Sequence, residues 1–331
     1  MGDFERRVLR LVSDGKISAE EGEELLRSHE RGALHDFRAV VEESLSGVGR
    51  AVREHTEPDV QELLRQDLVP SDEPLELRVA GDFAVSLRPG AEGVCRAVWS
   101  VGRPFFGESS PPPEVRLDGR TLRVEGRVRY GFGLGLPFGG YLLDIYLPPG
   151  TRLAGTIAQR LGRVRIGELA LDTLRLDTQN GRVEVDVPSL QELQVASRNG
   201  SIEVAAGEGG KVRVDAYNGR VVLRGALQDV EATTRNGRIE ADLRPVQGGR
   251  CRLETLNGAV ELDLASGIAC DLRAETVHGP ISVDMPGLAV SEDVRDFSRR
   301  RLRGRTSGIE GDLVAELGTT NGAVRVSQRS R

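Results

Sequence analysis

The sequence predicts a mainly β protein, a parallel β-solenoid (β-helix) of about 19–21 residues per coil that follows a small α-helical N-terminal domain. The first observation is a phrase that returns along residues 151–331: a small residue, one variable residue, Asn-Gly and an alternating strand. The second is its period, because successive glycines lie 19, 19, 19, 18, 21, 21 and 43 residues apart. A period near 20 indicates a repeat architecture. The corners are a degenerate Leu161-Gly162, then Asn180-Gly181, Asn199-Gly200, Asn218-Gly219, Asn236-Gly237, Asn257-Gly258, His278-Gly279 and Asn321-Gly322.

Each repeat contains two strands that meet at the corner. Apolar residues stand seven and five positions before the glycine and two and four positions after it, as in Leu174, Leu176, Val183 and Val185. The residues between them are mostly charged, so each strand has one buried face and one solvated face. The bend predicts positive φ, which Asn tolerates and Gly adopts without steric cost.

Two architectures fit this pattern. Asn-Gly between alternating runs is typical of type I′ hairpins, which would give an antiparallel meander. In a parallel solenoid, equivalent residues instead stack about 4.8 Å apart. We favour the solenoid because a meander has no reason to keep the same residue at the same offset from every turn. The stack predicts an amide ladder of the corner asparagines. Beside it, a column of small side chains would contain Thr178, Ser197, Ala216, Thr234, Thr255, Thr276 and Thr319.

Composition argues for narrow coils rather than a thick enzyme core. The 331 residues are 38% hydrophobic and only 4% aromatic, include 41 glycines and carry a net charge of −6. Because the chain has no apolar run of 18 residues and no hydrophobic signal segment, we expect a cytoplasmic protein, with peripheral attachment to a membrane as the alternative. Cys95, Cys251 and Cys270 are expected to be reduced, buried small hydrophobes.

The first 67 residues read as a helical interaction module: a helical hairpin, then a longer amphipathic helix from about Asp36 to Glu54, and a short turn at Val60–Leu64. Residues 68–150 read as an irregular β cap that closes the solenoid, since an open coil end invites pairing. A glycine-rich stretch in the cap, 131–140, contains Phe132 and Phe138. It is either a loop that tucks both rings into the cap or an exposed apolar tip that contacts a membrane or another subunit.

The longest step contains a basic insertion at about 286–307. Such a run is usually a solvated loop or a mobile flap, but it could also bind an anionic membrane or envelope polymer. Nucleic acid is the weakest of these partners because the whole chain is acidic and few aromatic residues accompany the arginines. The arginines are Arg295, Arg299, Arg300, Arg301, Arg303 and Arg305.

The chain resembles a known bacterial group in two places. The phrases Thr-Leu-Asn257-Gly258-Ala-Val-Glu-Leu and Thr-Thr-Asn321-Gly322-Ala-Val-Arg-Val resemble the "putative adhesin" family of β-strand repeat domains of unknown function. The opening Arg7-Val-Leu-Arg-Leu-Val-Ser-Asp-Gly15-Lys-Ile-Ser18-Ala-Glu-Glu21 is similar to the SHOCT-like helical module of the YvlB and LiaX envelope-stress proteins. The resemblance implies a β-solenoid and, in some members, a role in envelope stress, and it supplies no catalytic residues.

Carboxylates follow the bends on the outward face, and stacked acids on a β-helix could bind calcium or cleave polysaccharide. We interpret them as a solvated face neutralised by Arg163, Arg182, Arg220 and Arg238. The four histidines form no zinc cluster with cysteine, and neither a Ser-His-Asp set nor a phosphate loop is present, so no cofactor is expected. The acids are Glu184, Glu203, Glu240 and Glu261, then Asp186, Asp242, Asp263 and Asp284.

These observations predict a non-enzymatic scaffold that acts through self-association or a protein partner, with a link to the envelope-stress response. The alternative is a carbohydrate-active solenoid enzyme that uses an acid pair such as Glu240 and Asp242, or a protein that binds an anionic polymer through its acidic or arginine-rich surfaces.

Overall fold

The computed structural model describes residues 59–69, 73–101, 110–127, 141–244, 248–296, 299–307 and 312–329. The chain divides into two units, Met1–Glu57 and Pro58–Arg331. The predicted helices and the glycine-rich stretch with Phe132 and Phe138 lie outside the described residues. The boundary predicted at residue 67 is wrong. Residues Asp59–Asp67 form a strand and not the predicted helical turn, and this strand pairs with Val94–Val101.

The described residues are built from β-strands. The first nine precede the regular repeats: β1 Asp59–Asp67, β2 Leu75–Gly81, β3 Ala84–Pro89, β4 Val94–Val101, β5 Glu114–Asp118, β6 Thr121–Glu125, β7 Tyr141–Leu147, β8 Arg152–Leu161 and β9 Val164–Gly167. The next seven are β10 Ala170–Asn180, β11 Val183–Asn199, β12 Ile202–Asn218, β13 Val221–Asn236, β14 Ile239–Leu243, β15 Gly249–Asn257 and β16 Val260–Leu264. The last six are β17 Ala269–His278, β18 Ile281–Asp284, β19 Ala289–Arg295, β20 Arg300–Arg305, β21 Asp312–Asn321 and β22 Val324–Gln328.

The repeats form the parallel β-solenoid that the sequence predicts. β10 pairs in parallel with β11, β11 with β12, and β12 with β13, and each pairing keeps equivalent positions in register. Asn180 lies beside Asn199, and Asn199 beside Asn218. The alternative of antiparallel Asn-Gly hairpins is therefore wrong. A coil is defined here as the strand before a corner together with the strand after it.

The interior of each coil is filled by the predicted apolar positions. Leu174, Leu176, Val183 and Val185 are at most 1% exposed, and the same four positions of later coils continue these columns. Burying apolar side chains in register stabilises every coil against its neighbours, because a single coil cannot bury its inward face alone. The core is thus a continuous stack of aliphatic columns.

Glycine is required at the corner mainly because the backbone of the neighbouring coil lies too close for a Cβ atom, and less because of its φ angle. A Cβ on Gly181 would lie 1.9 Å from the carbonyl oxygen of Gly162, and one on Gly200 would lie 1.9 Å from that of Gly181. The prediction of positive φ at the asparagines is wrong, since among the described residues Glu168 is the one non-glycine residue with positive φ. Each corner glycine leaves the space into which the neighbouring coil's backbone fits.

Towards the C-terminus the spatial order of coils departs from the chain order. β15 and β16 pair with β21 and β22, and these in turn pair with β17 and β18. The last coil of the chain therefore lies between two coils that precede it in the sequence. Asn321 is an interior member of the corner column, and His278 stands at its end.

The opposite end shows the same inversion. β2 and β3 pair in parallel with β8 and β9 on one side and with β6 and β7 on the other. The prediction that 68–150 is only an irregular cap is therefore too broad, because these strands build regular coils. The cap consists of antiparallel strands: β5 pairs with β6, β4 with β7, and β1 with β4. Trp99 of β4 packs against Phe83 and Tyr141 beneath this cap.

The basic insertion is part of the sheet instead of a loop. β19 and β20 pair antiparallel, and β20 pairs antiparallel with β17. Main-chain hydrogen bonds thus hold most of the described insertion on the outer edge of the β17–β18 coil. In the part of the chain that the structure describes, no helix has the length and apolar character needed to span a membrane.

Candidate interaction surfaces

The corner asparagines form a hydrogen-bonded amide ladder along the solenoid. Asn199 Nδ2 donates to Asn180 Oδ1 at 2.8 Å, Asn218 donates to Asn199 at 2.8 Å, and the same bond continues through Asn236 and Asn257. Asn321 completes the described bonds by donating to Asn257 at 2.7 Å. All donors point the same way, so each amide both accepts and donates inside the ladder. The ladder fixes one edge of the solenoid and leaves it polar.

The hydroxyl column lies buried behind the ladder. Thr255, Thr319 and Thr276 each donate to the carbonyl oxygen of the corner glycine in the neighbouring coil, at 2.9–3.0 Å. Thr178, Ser197 and Thr234 are also buried. This column supports the corner from inside and is inaccessible to a macromolecular partner.

The glutamates of the outward acidic face are paired with arginines of their own and neighbouring coils. Arg182 bridges Glu184 at 2.7 Å and Glu203 at 3.0 Å, and Arg224 reaches Glu203 at 2.7 Å. The two guanidinium groups lower the pKa of Glu203, chiefly through their hydrogen bonds. Stacking brings these partners together because residues about 20 positions apart become neighbours. The glutamates after the bends and Asp242 are therefore held in ion pairs, whereas Asp186, Asp263 and Asp284 have no arginine partner among the described residues.

Glu240 and Asp242, the acid pair of the enzyme hypothesis, are both held in such ion pairs. Glu240 contacts Arg220 and Arg238, and Asp242 pairs with Arg329 at 2.7 Å. The hydrogen bond from Arg220 is the main cause that lowers the pKa of Glu240. A general acid at neutral pH needs a raised pKa, so this carboxylate is poorly suited to protonating a leaving group.

A groove of about 910 Å³ crosses the coils on the sheet that precedes the corners. One column of its lining is short, because Ala80, Ala158, Asp177 and Ala196 stand in register on successive coils. The next outward column is long and contains Arg160, Gln179, Arg198 and Tyr217. The small column beside the tall one creates a channel perpendicular to the strands.

The groove has polar walls with fixed positions. Asp82 is buried and accepts two hydrogen bonds from Arg160, at 2.8 and 2.6 Å. Farther along, Arg235 lies over the Tyr217 ring, 5.1 Å from its centroid, and donates to the tyrosine hydroxyl at 3.0 Å. The Tyr217 side chain is 46% exposed, so the groove offers an aromatic surface together with charges of both signs.

The basic insertion is partly neutralised by acids of its own neighbourhood. Arg299 and Arg301 contact Glu275, while Arg301 and Arg303 contact Glu292 at 3.4 and 3.2 Å. Arg295 pairs with Asp293 at 2.9 Å. The acids that neutralise the arginines are thus Glu275 on β17 and Glu292 and Asp293 on β19. Arg300 and Arg305 have no carboxylate partner among the described residues.

Other chemistry is sparse in the described residues. They contain no group of three His, Cys, Asp or Glu side chains that could hold a metal ion. Cys95, Cys251 and Cys270 are free and buried, as predicted. Burial raises the pKa of the Cys95 thiol to about 11 and that of Cys270 to about 12, so neither is a reactive nucleophile at neutral pH.

Sequence reasoning identified the ladder but missed the groove. The groove depends on small residues four positions before the corner, at Ala158 and Ala196, which alternate with larger residues in other coils. That alternation is visible in the aligned repeats. The groove that it produces becomes visible only when the coils are stacked, because the depth of the groove depends on side chains from different coils.

The fold and these surfaces define a β-solenoid repeat protein in which many polar side chains form ladders and ion pairs. The family model "Toastrack DUF4097" matches residues 107–327, and a "SHOCT-like domain" model matches residues 3–33. The chain belongs to the Toastrack DUF4097 family. The resemblance to adhesin-like repeat domains with a SHOCT-like module is thereby confirmed.

Comparison with solved structures gives distant similarity. A "putative adhesin" from Bacteroides fragilis is 14% identical with a TM-score of 0.44, covering 82% of this chain and 97% of that one. A "putative cell adhesion protein" from Clostridium sporogenes is 10% identical with a TM-score of 0.29, covering 82% and 100%. A "putative adhesin" from Parabacteroides merdae is 8% identical with a TM-score of 0.27, covering 82% and 97%. No curated protein matches the chain.

Proposed function

We propose that this protein is a non-enzymatic scaffold of the cell-envelope stress response, which binds a protein partner in the groove. The observation that carries the proposal is the groove itself, a channel across successive coils with an exposed tyrosine and fixed charges of both signs. Such a channel suits an extended polypeptide, which can lie along it and contact side chains from several successive coils. The proposed location is the cytoplasm, or its boundary with the membrane.

The alternative of a carbohydrate-active enzyme has less support from the structure. Its acids, Glu240 and Asp242, are already held by arginines, and the pKa of Glu240 is lowered instead of raised. An anionic-polymer binder that uses the basic insertion also has less support, because Glu275 and Glu292 already neutralise several of its arginines. The scaffold hypothesis needs neither group to be free.

The test combines substitution with site-specific crosslinking in cells exposed to envelope stress. A photo-crosslinking residue at Gln179, in the groove, should capture a defined protein, while one at the exposed Thr173 on the same strand should not. Ala196→Trp fills the groove and should abolish the crosslink and the stress phenotype. The double variant Glu240→Gln and Asp242→Asn should retain both. Loss of the phenotype in the double variant, with a normal response in Ala196→Trp, would contradict the proposal.

A further inference from the structure

The two ends of the solenoid are closed to different extents. At the β6–β7 end, both halves of the terminal coil are covered, because β5 pairs with β6 and β4 pairs with β7. At the β17–β18 end, β20 covers β17, but β18 pairs only with β22 among the described strands. Among the described strands, the β17–β18 coil is therefore covered on its β17 half and open on its β18 half.

The open half presents main-chain hydrogen-bonding groups. In the inner coils, the N–H group two positions after the corner donates to the next coil: Val183 to Ser201, Val260 to Ala323 and Val324 to Pro280, each at 2.9–3.0 Å. Ile281 occupies this position in the β17–β18 coil, and no described strand lies beyond it. By the same alternation, the N–H of Val283 also points away from β22. An edge of this kind is a template for adding a strand.

The open half also exposes apolar groups that inner coils bury. Ile281 and Val283 are only partly buried, whereas Val260 and Leu262 at the same positions of an inner coil are at most 1% exposed. On the adjacent hairpin, Val290 of β19 is 52% exposed, although its partner position on β20 is the buried Gly304. These side chains belong to columns that stop without a covering layer.

The shape of this end is complementary to itself. The hairpin raises the β17 half by two strands, β20 and then β19, and leaves the β18 half lower by the same two strands. When a second copy is turned by a two-fold axis perpendicular to the solenoid, its raised half meets the lower half of the first. The strand order on each side then becomes β17, β20, β19 and the other copy's β18. Both coils close at the same height.

Both halves of this end carry charged residues without an ionic partner among the described residues. The raised half contains Arg300 and Arg305, which have no carboxylate partner among the described residues. The lower half contains the exposed Asp284, for which the described residues supply no cationic partner. Because the raised half of this end fits the lower half of an identical end, a second copy is the occupant that the shape favours.

We propose that two copies of this chain join end to end, with β18 of each copy pairing antiparallel with β19 of the other. This dimer would form one continuous solenoid, with Ile281, Val283 and Val290 buried at the junction. It would also place two grooves on a single rigid body. The inference rests on the proposed scaffold role for its biological use, but the junction and the groove are separate surfaces and are tested separately.

The experiment measures the oligomeric state of the full chain by sedimentation velocity over a range of concentrations. The wild type should be a dimer. Val283→Pro removes an N–H that faces away from β22 and should weaken dimerisation about tenfold or more, as expected for the loss of roughly 1.4 kcal/mol. Val283→Ala keeps that N–H and controls for the lost side chain. Val290→Lys should also give monomers, and Val314→Lys, on an exposed valine away from the junction, should not.

Engineered cysteines distinguish the proposed pairing from other contacts, because the native cysteines are buried. A mixture of Ser282→Cys and Ser291→Cys chains should give the mixed disulfide as the main product. A disulfide formed by Ser282→Cys chains alone, with no mixed product, would show that β18 pairs with itself and would overturn the arrangement. A wild-type chain that stays monomeric at every concentration would overturn the dimer and leave the crosslinking test of the groove unaffected.

Discussion

Asn321 follows Asn257 directly in the amide ladder, with 2.7 Å between Asn321 Nδ2 and Asn257 Oδ1, although 64 positions separate them in the sequence. His278, which lies between them along the chain, stands beyond Asn321 at the end of the column. The coil formed by β21 and β22, the last in the chain, therefore lies between the β15–β16 coil and the β17–β18 coil. Its strands gain a parallel neighbour on both sides, and the C-terminal repeat is not a frayed end.

The ladder predicts unequal losses for equal substitutions. Asn218 donates to Asn199 and accepts from Asn236, whereas Asn180 accepts from Asn199 and lies beside Leu161 on its other side. With about 1 kcal/mol per hydrogen bond, Asn218→Ala should lower the free energy of unfolding by about 2 kcal/mol and Asn180→Ala by about 1 kcal/mol. Urea denaturation measures both, with Gln179→Ala as a control outside the ladder. Equal losses for Asn218 and Asn180 would contradict the cooperative ladder.

Corner glycines should tolerate no side chain. Gly200→Ala places a Cβ 1.9 Å from the Gly181 carbonyl oxygen and also requires alanine at a φ of 143°. The substitution should cost more than about 1 kcal/mol, because the neighbouring backbone must move. Gly167→Ala is the matched control, since no atom lies within 4 Å of its added Cβ. Thermal unfolding of both variants checks this, and a Gly200→Ala protein as stable as Gly167→Ala would disprove the steric explanation.

Acidification should weaken the solenoid through its ion pairs. The pKa values of Glu203 and Glu240 are lowered from 4.5 in the folded state by arginine hydrogen bonds. Their stabilising effect is therefore present above about pH 4.5 and is lost as the pH falls through the lower folded values. Glu240→Gln should make the urea midpoint less dependent on pH between 5 and 3. Glu208→Gln, which changes an exposed glutamate without an arginine partner in the described residues, should leave the dependence unchanged.

The native thiols should react only when the protein unfolds. Burial raises the pKa of Cys251 far above its usual range, and that of Cys270 to about 12, so very little thiolate exists at pH 8. A chromogenic disulfide reagent should modify the cysteines at the rate of unfolding, whereas an added Ser282→Cys should react at once when the chain is monomeric. Rapid labelling of native Cys251 would show that the interior is open.

The basic insertion should resist trypsin in spite of its arginines. Its strands are held to β17 by main-chain hydrogen bonds, and Glu275 and Glu292 contact the arginine side chains. Raising the salt concentration screens the exposed ion pairs but leaves the strand pairing, so cleavage should rise only modestly. Leu302→Pro, which breaks β20, should make the segment sensitive. Cleavage of the wild type as fast as that of this variant would contradict the hairpin.

The kind of coil can be read from the repeats. The period near 20 residues, the inward positions such as Leu174 and Val183, and the column of corner asparagines follow from repeated local chemistry, because every residue at one offset meets the same environment. The parallel stack could be predicted from that repetition alone. The glycines were also predicted, although for torsion, when the closer reason is contact with the carbonyl of the next coil.

The order of the coils in space and the form of both ends are visible only in the folded molecule. All repeats share one hydrogen-bonding pattern, so pairing β15 with β21 satisfies the same groups as pairing it with β17, and local sequence does not separate the two. The length of the connections does not distinguish the two pairings either, since the insertion forms a hairpin on the β17–β18 coil before the chain enters β21. The groove and the half-open end could not be predicted from the sequence, because each combines side chains from coils that are distant in sequence.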